Sequence, residues 1–384
     1  MGAMKGLKKL AVTLACLVVV MFSMVACAPS KPVEPTPEPK DGAIKNVILM
    51  IGDGFGPNHL INAKKYFGID KFAFEDDYVC DVTTYSKNSE VTDGYTDSAA
   101  AASALATGQK FNNGEVGYHN FQDVKNIMEY AQEHKMKTGV ITSDTLHGAT
   151  PAGFSAHTKN RGSQYYNEMF DDQVKSEIDL MVGALSNEFD YDYQWLTFAQ
   201  NGYKFTTNET NAVKNLQSDE KCFAMFTDLK PSKNYVDFPE LIKDSLNFLD
   251  NENGFCCMIE NANIDKYSHN NDFENTMQEV LYFAQMIEAV YEFVAGRDDT
   301  VVLITADHET GGLQVGQTKD ELNSSLFTSG GVHTATDVHL WIKYPQVPAQ
   351  PNYKIKIDNT DIFKICHKIV TEGVFEQSLI SAVA

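Results

Sequence analysis

The sequence predicts an α/β fold, a central and mostly parallel sheet flanked by helices on both faces, and three observations predict it. Five short runs at 45–51, 137–142, 254–259, 300–305 and 338–343 have the length and the Val/Ile content of buried parallel strands. Between them, 123–134, 238–251 and 272–294 carry the periodicity of amphipathic helices, and that alternation is the mark of a sheet-and-helix sandwich. The first four runs each lead into an acid: Asp53, Asp144, Glu260 and Asp307. In open α/β sheets ligands bind beyond the carboxyl ends of the strands, so these side chains should gather on one rim. No internal repeat is present; the length fits one large domain or two medium ones, and 43–384 is assigned to a single folded domain.

The chain begins with a different kind of segment. Lys5, Lys8 and Lys9 precede an apolar run at 10–25, a basic region followed by a hydrophobic stretch too short for a membrane span. This is a secretory signal, assigned to 1–26. It ends in "MVAC", similar to a bacterial lipobox with Met24 where Leu is usual, which makes Cys27 the expected lipidated residue and new N-terminus. Cleavage elsewhere, releasing a soluble protein, is the alternative. Residues 27–42 follow as a tether: five prolines between Ala28 and Gly42 favour an extended chain that packs poorly. The expected location is therefore extracytoplasmic, anchored by lipid to a bacterial cell membrane.

Composition narrows the partners. The formal net charge is −21, and removing the three signal lysines, with no acid among 1–26, takes it to −24. So acidic a domain repels nucleic acid and anionic lipid, and no nucleic-acid binding is expected. Only two arginines occur, Arg161 and Arg297, against 29 lysines. Beyond Cys16 and Cys27 the cysteines are five, without CxxC spacing, so neither a disulfide framework nor a thiolate metal site is indicated.

The stretch from Val91 to Gln109, "VTDGYTDSAAAASALATGQ", organises the chemistry. Its small residues from Ala99 to Ala106 favour a helix buried close to other backbone, with Ser98 on the first turn. The positive end of a helix dipole stabilises an anion there, either a phosphate or a serine alkoxide. Thr96, Asp97 or Ser98 acting as a cap is the structural alternative. Four carboxylates on one rim would raise one another's pKa values unless cations accompany them, so metal is their natural counterpart; capping is the alternative, and the favoured one for Asp144. "NIDKYSH" sets Asp265 and His269 four residues apart, on one face of a helical turn. "TADHET" joins Asp307 to His308, and "GVHTAT" adds His333 in a glycine-rich loop. Carboxylates with imidazoles and no thiolate suit catalytic zinc. His59, His119, His134, His339 and His367 stand alone and read as ordinary core or surface residues.

Taken in order, "DGFG", "TDSAAAASALATG", "GATPAGFSAHTKNR", "ENANIDKYSH", "TADHETGG" and "GGVHT" resemble the alkaline phosphatases. The motifs lie within 45–341, and 164–253 is carried by order alone. The resemblance implies hydrolysis of small phosphate monoesters through a phosphoserine intermediate, with two Zn2+ and one Mg2+ per chain. It implies Asp265, His269 and His333 as ligands of the first zinc and Asp53, Asp307 and His308 as ligands of the second. Asp53 would bridge to magnesium, whose other protein ligands would be Thr150 and Glu260. Ser98 would be the nucleophile and Arg161 the phosphate-holding arginine. Lys266, beside Asp265, would add positive charge near phosphate or be a surface lysine. Members of the family often pair, so a homodimer is expected on that ground alone.

Three departures from the family pattern stand out: Gly148 where many members have an acid or histidine, with His147 as a substitute ligand; Asn261 where glycine is usual; and Tyr95 with Ser103 around the serine. The alternatives are a phosphodiesterase or sulfatase of the same superfamily, or a binding lipoprotein without catalysis. Sulfatases need a formylglycine-forming context and diesterases commonly use Thr as nucleophile, and neither fits Ser98 with Arg161.

Overall fold

The structure is a computed structural model that describes residues 43–375, except 93, 189–190, 228, 230–235, 346 and 348–355; of 191–193 the backbone alone is described. The signal, the tether and Cys27 lie outside the described residues.

Among the described residues ten strands form one sheet. In chain order the elements are β1 (Asn46–Gly52), α1 (Pro57–Phe67), β2 (Tyr78–Thr83), α2 (Ser98–Thr107), β3 (Tyr118–His119), β4 (Gln122–Asp123), α3 (Ile127–Glu133), β5 (Lys137–Thr145), α4 (Ala149–Gly153), α5 (Tyr166–Lys175), β6 (Leu180–Ala184), α6 (Tyr191–Gln200), β7 (Tyr203–Thr207), β8 (Lys221–Phe226), α7 (Phe238–Leu249), β9 (Phe255–Asn261), α8 (Asn263–His269), α9 (Phe273–Phe293), β10 (Thr300–Thr305), β11 (Glu309–Thr310), β12 (His333–Thr334), β13 (Val338–Lys343), β14 (Lys356–Asp358) and α10 (Asn359–Glu372). The order across the sheet is β14-β2-β13-β10-β1-β9-β5-β6-β8-β7, and β11–β12 and β3–β4 make two small ribbons.

Every residue of β1, β9 and β10 is buried, which requires cover on both faces of the sheet. The helices supply it in two mutually packed groups. α1 and α7 pack on α9, while α2 packs on α4 and α10, and α10 also packs on α3. All ten residues of α2 are buried; only a helix of small side chains fits so closely among its neighbours.

Four of the five predicted strands are parallel, and the fifth is not. β13 pairs antiparallel with β10 and with β2. A parallel return needs a crossover that carries the chain back to the opposite end of the sheet. No α-helix lies between β10 and β13; β11, β12 and two single turns of 3-10 helix occupy that interval, so β13 starts where β10 ended. The strands toward the two sides of the sheet, β2, β6, β7, β8 and β14, carry no distinctive signal in the sequence, and β14 and β7 form its edges.

Register then builds the rim. Ile51 of β1 lies beside Glu260 of β9 and Thr305 of β10, and Thr142 of β5 lies beside Glu260. Asp53 and Asp307 each follow two residues beyond that row, so they project from neighbouring strand ends. Glu260 and Asp144 sit within their strands rather than after them.

Candidate active site

At the end of β1 the chain turns sharply, and the Gly54 amide donates to Asp307 Oδ1 at 3.1 Å, tying the two strand ends together. Asp53 and Asp307 are buried, yet Asp53 Oδ1 and Asp307 Oδ2 have no hydrogen-bond donor. Both approach one atom, His308 Nε2, at 3.5 and 3.2 Å. Ser98 Oγ approaches the same nitrogen at 3.2 Å.

Ser98 is held there by α2. Asp97 is the N-cap, its carboxylate accepting from Ala100 N at 3.0 Å, and Ser98 is the first helical residue. Asp97 also accepts from Gly114 N and faces Arg161 Nη1 at 3.5 Å. The capping reading of this turn is thus correct for Asp97 and compatible with a reactive Ser98 beside it. The contact of Asp97 with Arg161 leaves no local mark in the sequence, because 64 residues separate the two.

A second group forms beside the first. α8 puts Asp265 and His269 one turn apart, with Oδ2 and Nε2 3.2 Å from each other. His333 Nε2 stands 3.1 Å from His269 Nε2 and 3.5 Å from Asp265 Oδ1. The ribbon β11–β12 brings His333 in by pairing it with Thr310. Glu309 staples that ribbon, accepting from Thr334 Oγ1 and from the amides of Gly312 and Leu313. The His308 and His333 rings stack with centroids 3.6 Å apart. Each imidazole of the Asp265 group is steered by main chain. His269 Nδ1 contacts the Gly331 carbonyl, and His333 Nδ1 contacts the Thr96 carbonyl at 2.8 Å. Gly331 has a φ of +81° and a Cβ there would meet the His269 carbonyl, so only glycine allows that approach.

Electrostatics fit the same picture. Burial pushes Asp53 well above the usual carboxylate range, and Asp307, Asp265 and Glu260 push it further. Burial and Asp144 raise Glu260 to about 8, and burial with Asp265 raises Asp307 to about 6. Burial also works against Asp265, but its contacts with His269 and His333 outweigh it and hold Asp265 well below the usual value. Burial and His333 keep His308 neutral, well below the usual imidazole range.

Lone pairs from three carboxylates and three imidazoles converge, and two of the carboxylate oxygens find no donor. That is a donor set for divalent cations with oxygen and nitrogen ligands. The ligand atoms of Asp265, His269 and His333 lie within 4.8 Å of one another, as do those of Asp53, Asp265 and His308. A divalent cation that takes both oxygen and nitrogen ligands fits these residues.

The other expected residues fall around this centre. Glu260 accepts from Thr142 Oγ1, and Thr150, buried on α4, faces it. The charge of Arg161 is felt at Asp53, His269 and His308. Lys266 pairs with Asp144 Oδ1. That pair corrects the capping expectation for Asp144: the residue preceding α4 is Gly148, and Asp144 faces a lysine instead. His147 Nε2 meets Ser186 Oγ at 2.7 Å and its ring lies against Tyr166 and Phe170, so it contacts both the 186 loop and α5. Asn261 spans from β9 to Glu279 of α9 at 3.1 Å.

Three of the five solitary histidines have side-chain or main-chain bonding partners. His59 bonds Ser268 and the Gly56 amide, His119 bonds Glu115, and His339 bonds Asp81. Arg297 forks onto Asp250 and also bonds Asp299, a structural clamp. Cys80, Cys222, Cys256, Cys257 and Cys366 are all buried free thiols.

Comparison with known proteins gives one answer. The family described as alkaline phosphatase matches residues 44–192 and 192–360. Alkaline phosphatase 3 of Bacillus subtilis (strain 168) is 31% identical over 336 residues, covering 82% of this chain and 72% of its own length. Alkaline phosphatase 4 of the same strain is 32% identical over 294 residues, covering 71% of this chain and 63% of its own length. Among solved structures, the cold-active alkaline phosphatase of a psychrophilic Shewanella sp. superposes with a TM-score of 0.74 at 25% identity, over 85% of this chain and 99% of its own. A mutant TAB5 alkaline phosphatase with Mg bound gives 0.71 at 26% identity, over 87% and 99%.

Proposed function

Because the chain belongs to the alkaline phosphatase family, we propose that its rim site hydrolyses phosphate monoesters with Ser98 as nucleophile, releasing an alcohol and inorganic phosphate. One observation carries this reading: Ser98 Oγ lies 3.2 Å from a histidine nitrogen on which two donorless buried carboxylate oxygens also converge. Asp265, His269 and His333 would hold one zinc, Asp53, Asp307 and His308 the other, and Asp53, Thr150 and Glu260 a magnesium. Divalent cations bound there would supply Lewis acidity toward phosphoryl oxygens and favour the serine alkoxide.

The chain's own groups account for the rest. Ser98 Oγ attacks phosphorus, the ester P–O bond breaks, and the alcohol leaves. Water then cleaves the phosphoserine, restoring Ser98 and releasing phosphate. The N-terminal end of α2 favours the anionic phosphoryl group in both steps. Arg161 offers a planar fork to the equatorial oxygens, where charge accumulates in the transition state. Asp97 fixes the cap and faces that arginine, so nucleophile and phosphate holder share one anchor. Lys266, paired with Asp144, adds positive charge beside Glu260 and Asp53.

The test is a substrate comparison. Purified protein with zinc and magnesium should hydrolyse p-nitrophenyl phosphate faster than bis-p-nitrophenyl phosphate or p-nitrophenyl sulfate, and chelation should abolish the activity. Faster diester turnover would favour the phosphodiesterase reading, and no turnover with metals loaded would favour a binding lipoprotein.

The same reading places the domain outside the cytoplasm, with 1–26 as lipoprotein signal, 27–42 as tether and Cys27 as the lipid anchor. Among the described residues no helix is long and apolar enough to cross a membrane. Cys27→Ser should move the activity from the detergent phase to the aqueous phase of a Triton X-114 partition. Light scattering tests the homodimer expected from the family.

A further inference from the structure

Two of the three histidines in the site rest Nδ1 on a main-chain oxygen, and the third does not. His308 Nδ1 lies 3.2 Å from the hydroxyl of Thr310. The same hydroxyl lies 2.5 Å from Asp265 Oδ1. Thr310 is fully buried, and its amide is fixed by the Gly54 carbonyl at 3.2 Å. One side chain therefore touches a member of each ligand group, and Asp265 itself contributes to both.

Counting protons decides how the contacts run. A threonine hydroxyl has one proton to donate and lone pairs to accept with. The short bond to a carboxylate takes that proton, because a charged acceptor makes the stronger bond. Toward His308 the oxygen can then only accept, so Nδ1 carries the imidazole hydrogen. The lone pair is left on Nε2, the atom that faces Ser98, Asp53 and Asp307.

We propose that Thr310 is a positioning residue that couples the two ligand groups: through one hydroxyl it orients Asp265 and fixes His308 with its lone pair on Nε2. The proposal rests on the reading of Asp265 and His308 as metal ligands. A main-chain carbonyl in the same place could orient His308 but could not donate to Asp265, so the threonine does what the partners of His269 and His333 cannot.

Thr310→Val keeps the branched shape and removes the hydroxyl, whereas Thr310→Ser restores it. The full chain and both variants are stripped with chelator and titrated with Zn2+ against a chromophoric chelator of known affinity. Thr310→Val should weaken zinc at both sites, each by about 10- to 100-fold, the usual effect of losing a group that orients a ligand. Thr310→Ser should bind as the wild type does. A residue needed only for folding would lower the melting temperature of the metal-free protein and leave the zinc affinities alone. Unchanged binding by Thr310→Val, or weakening confined to one site, would overturn the proposal. If the parent chain takes up no zinc, the ligand reading fails first and the proposal with it. A readout that needs no valine variant is long-range 15N–1H NMR of the zinc-loaded parent with labelled histidine. It should show the His308 proton on Nδ1, assigned by its movement in Thr310→Ser; a proton on Nε2 would overturn the proposal.

Discussion

Ser98 Oγ and His308 Nε2 are 3.2 Å apart although 210 residues separate them in the chain. One comes from the first turn of a buried helix and the other from the loop after a central strand. Ser98→Ala removes only the oxygen and leaves the Asp97 cap intact. Turnover of p-nitrophenyl phosphate should fall by on the order of 10⁴-fold or more, and 32P should no longer transfer to the protein. Zinc content should stay at the parent level. A variant that still acquires label would remove Ser98 from the reaction.

Arg161 faces Asp97 at 3.5 Å, and its side chain is 41% exposed, so the pair itself adds little to stability. Its fork is what matters. Arg161→Lys should raise the inhibition constant of inorganic phosphate by roughly 10- to 100-fold, since hydrogen bonds to charged groups are worth about 1.5–3 kcal/mol. Competitive inhibition kinetics give the value directly.

Asp97 has a structural duty as well. It caps α2 and accepts from Gly114, so Asp97→Ala should lower unfolding free energy by about 1 kcal/mol, the usual cost of a lost cap. Urea denaturation measures this. The same variant should also bind phosphate more weakly, whereas a cap with no functional partner would leave phosphate inhibition unchanged.

The carboxylate cluster makes stability depend on pH once metals are removed. Asp307 at about 6 and Glu260 at about 8 are raised above their unfolded values, and Asp53 is raised with them. A raised carboxylate contributes its full stability below its unfolded pKa, near 4, and loses it as pH climbs through the folded value. The native state then holds more protons than the unfolded chain, so unfolding free energy declines with pH. Above the range in which the neutral His308 opposes the trend, the melting temperature of the chelated protein should therefore fall between about pH 7 and pH 9. Zinc and magnesium should reverse the fall most strongly at the alkaline end, because binding requires deprotonated ligands. A chelated protein that becomes more stable over this interval would contradict the assignment.

Gly148 is bare because Asp144 occupies the space in front of it. A Cβ at 148 would stand 2.5 Å from Asp144 Oδ2 and 2.9 Å from the Thr145 carbonyl. Gly148→Ala should cost roughly 1–3 kcal/mol from overpacking. The loss should shrink when Asp144→Ala is added, since the two residues share one volume. Denaturation of the four forms of this double-mutant cycle measures the coupling.

The sequence by itself determined the identity of the elements that supply the chemistry. Strand runs ending near acids, a helix of small residues behind Ser98, and the four-residue step from Asp265 to His269 are local patterns, set by side-chain size, propensity and helical pitch. They were legible one segment at a time, and the order of the motifs indicated the family. What the tertiary structure decided was everything that depends on two segments meeting. β13 runs antiparallel because the chain stays on the rim between β10 and β13. Asp144 faces Lys266 rather than capping a helix, since 122 residues of chain fold back to bring the lysine there. Asp97 meets Arg161, and Thr310 bridges Asp265 and His308, through single hydrogen bonds. Such bonds leave no periodicity and no spacing in the sequence. They exist only because the packed sheet fixes strand ends relative to one another with a precision that no local propensity encodes.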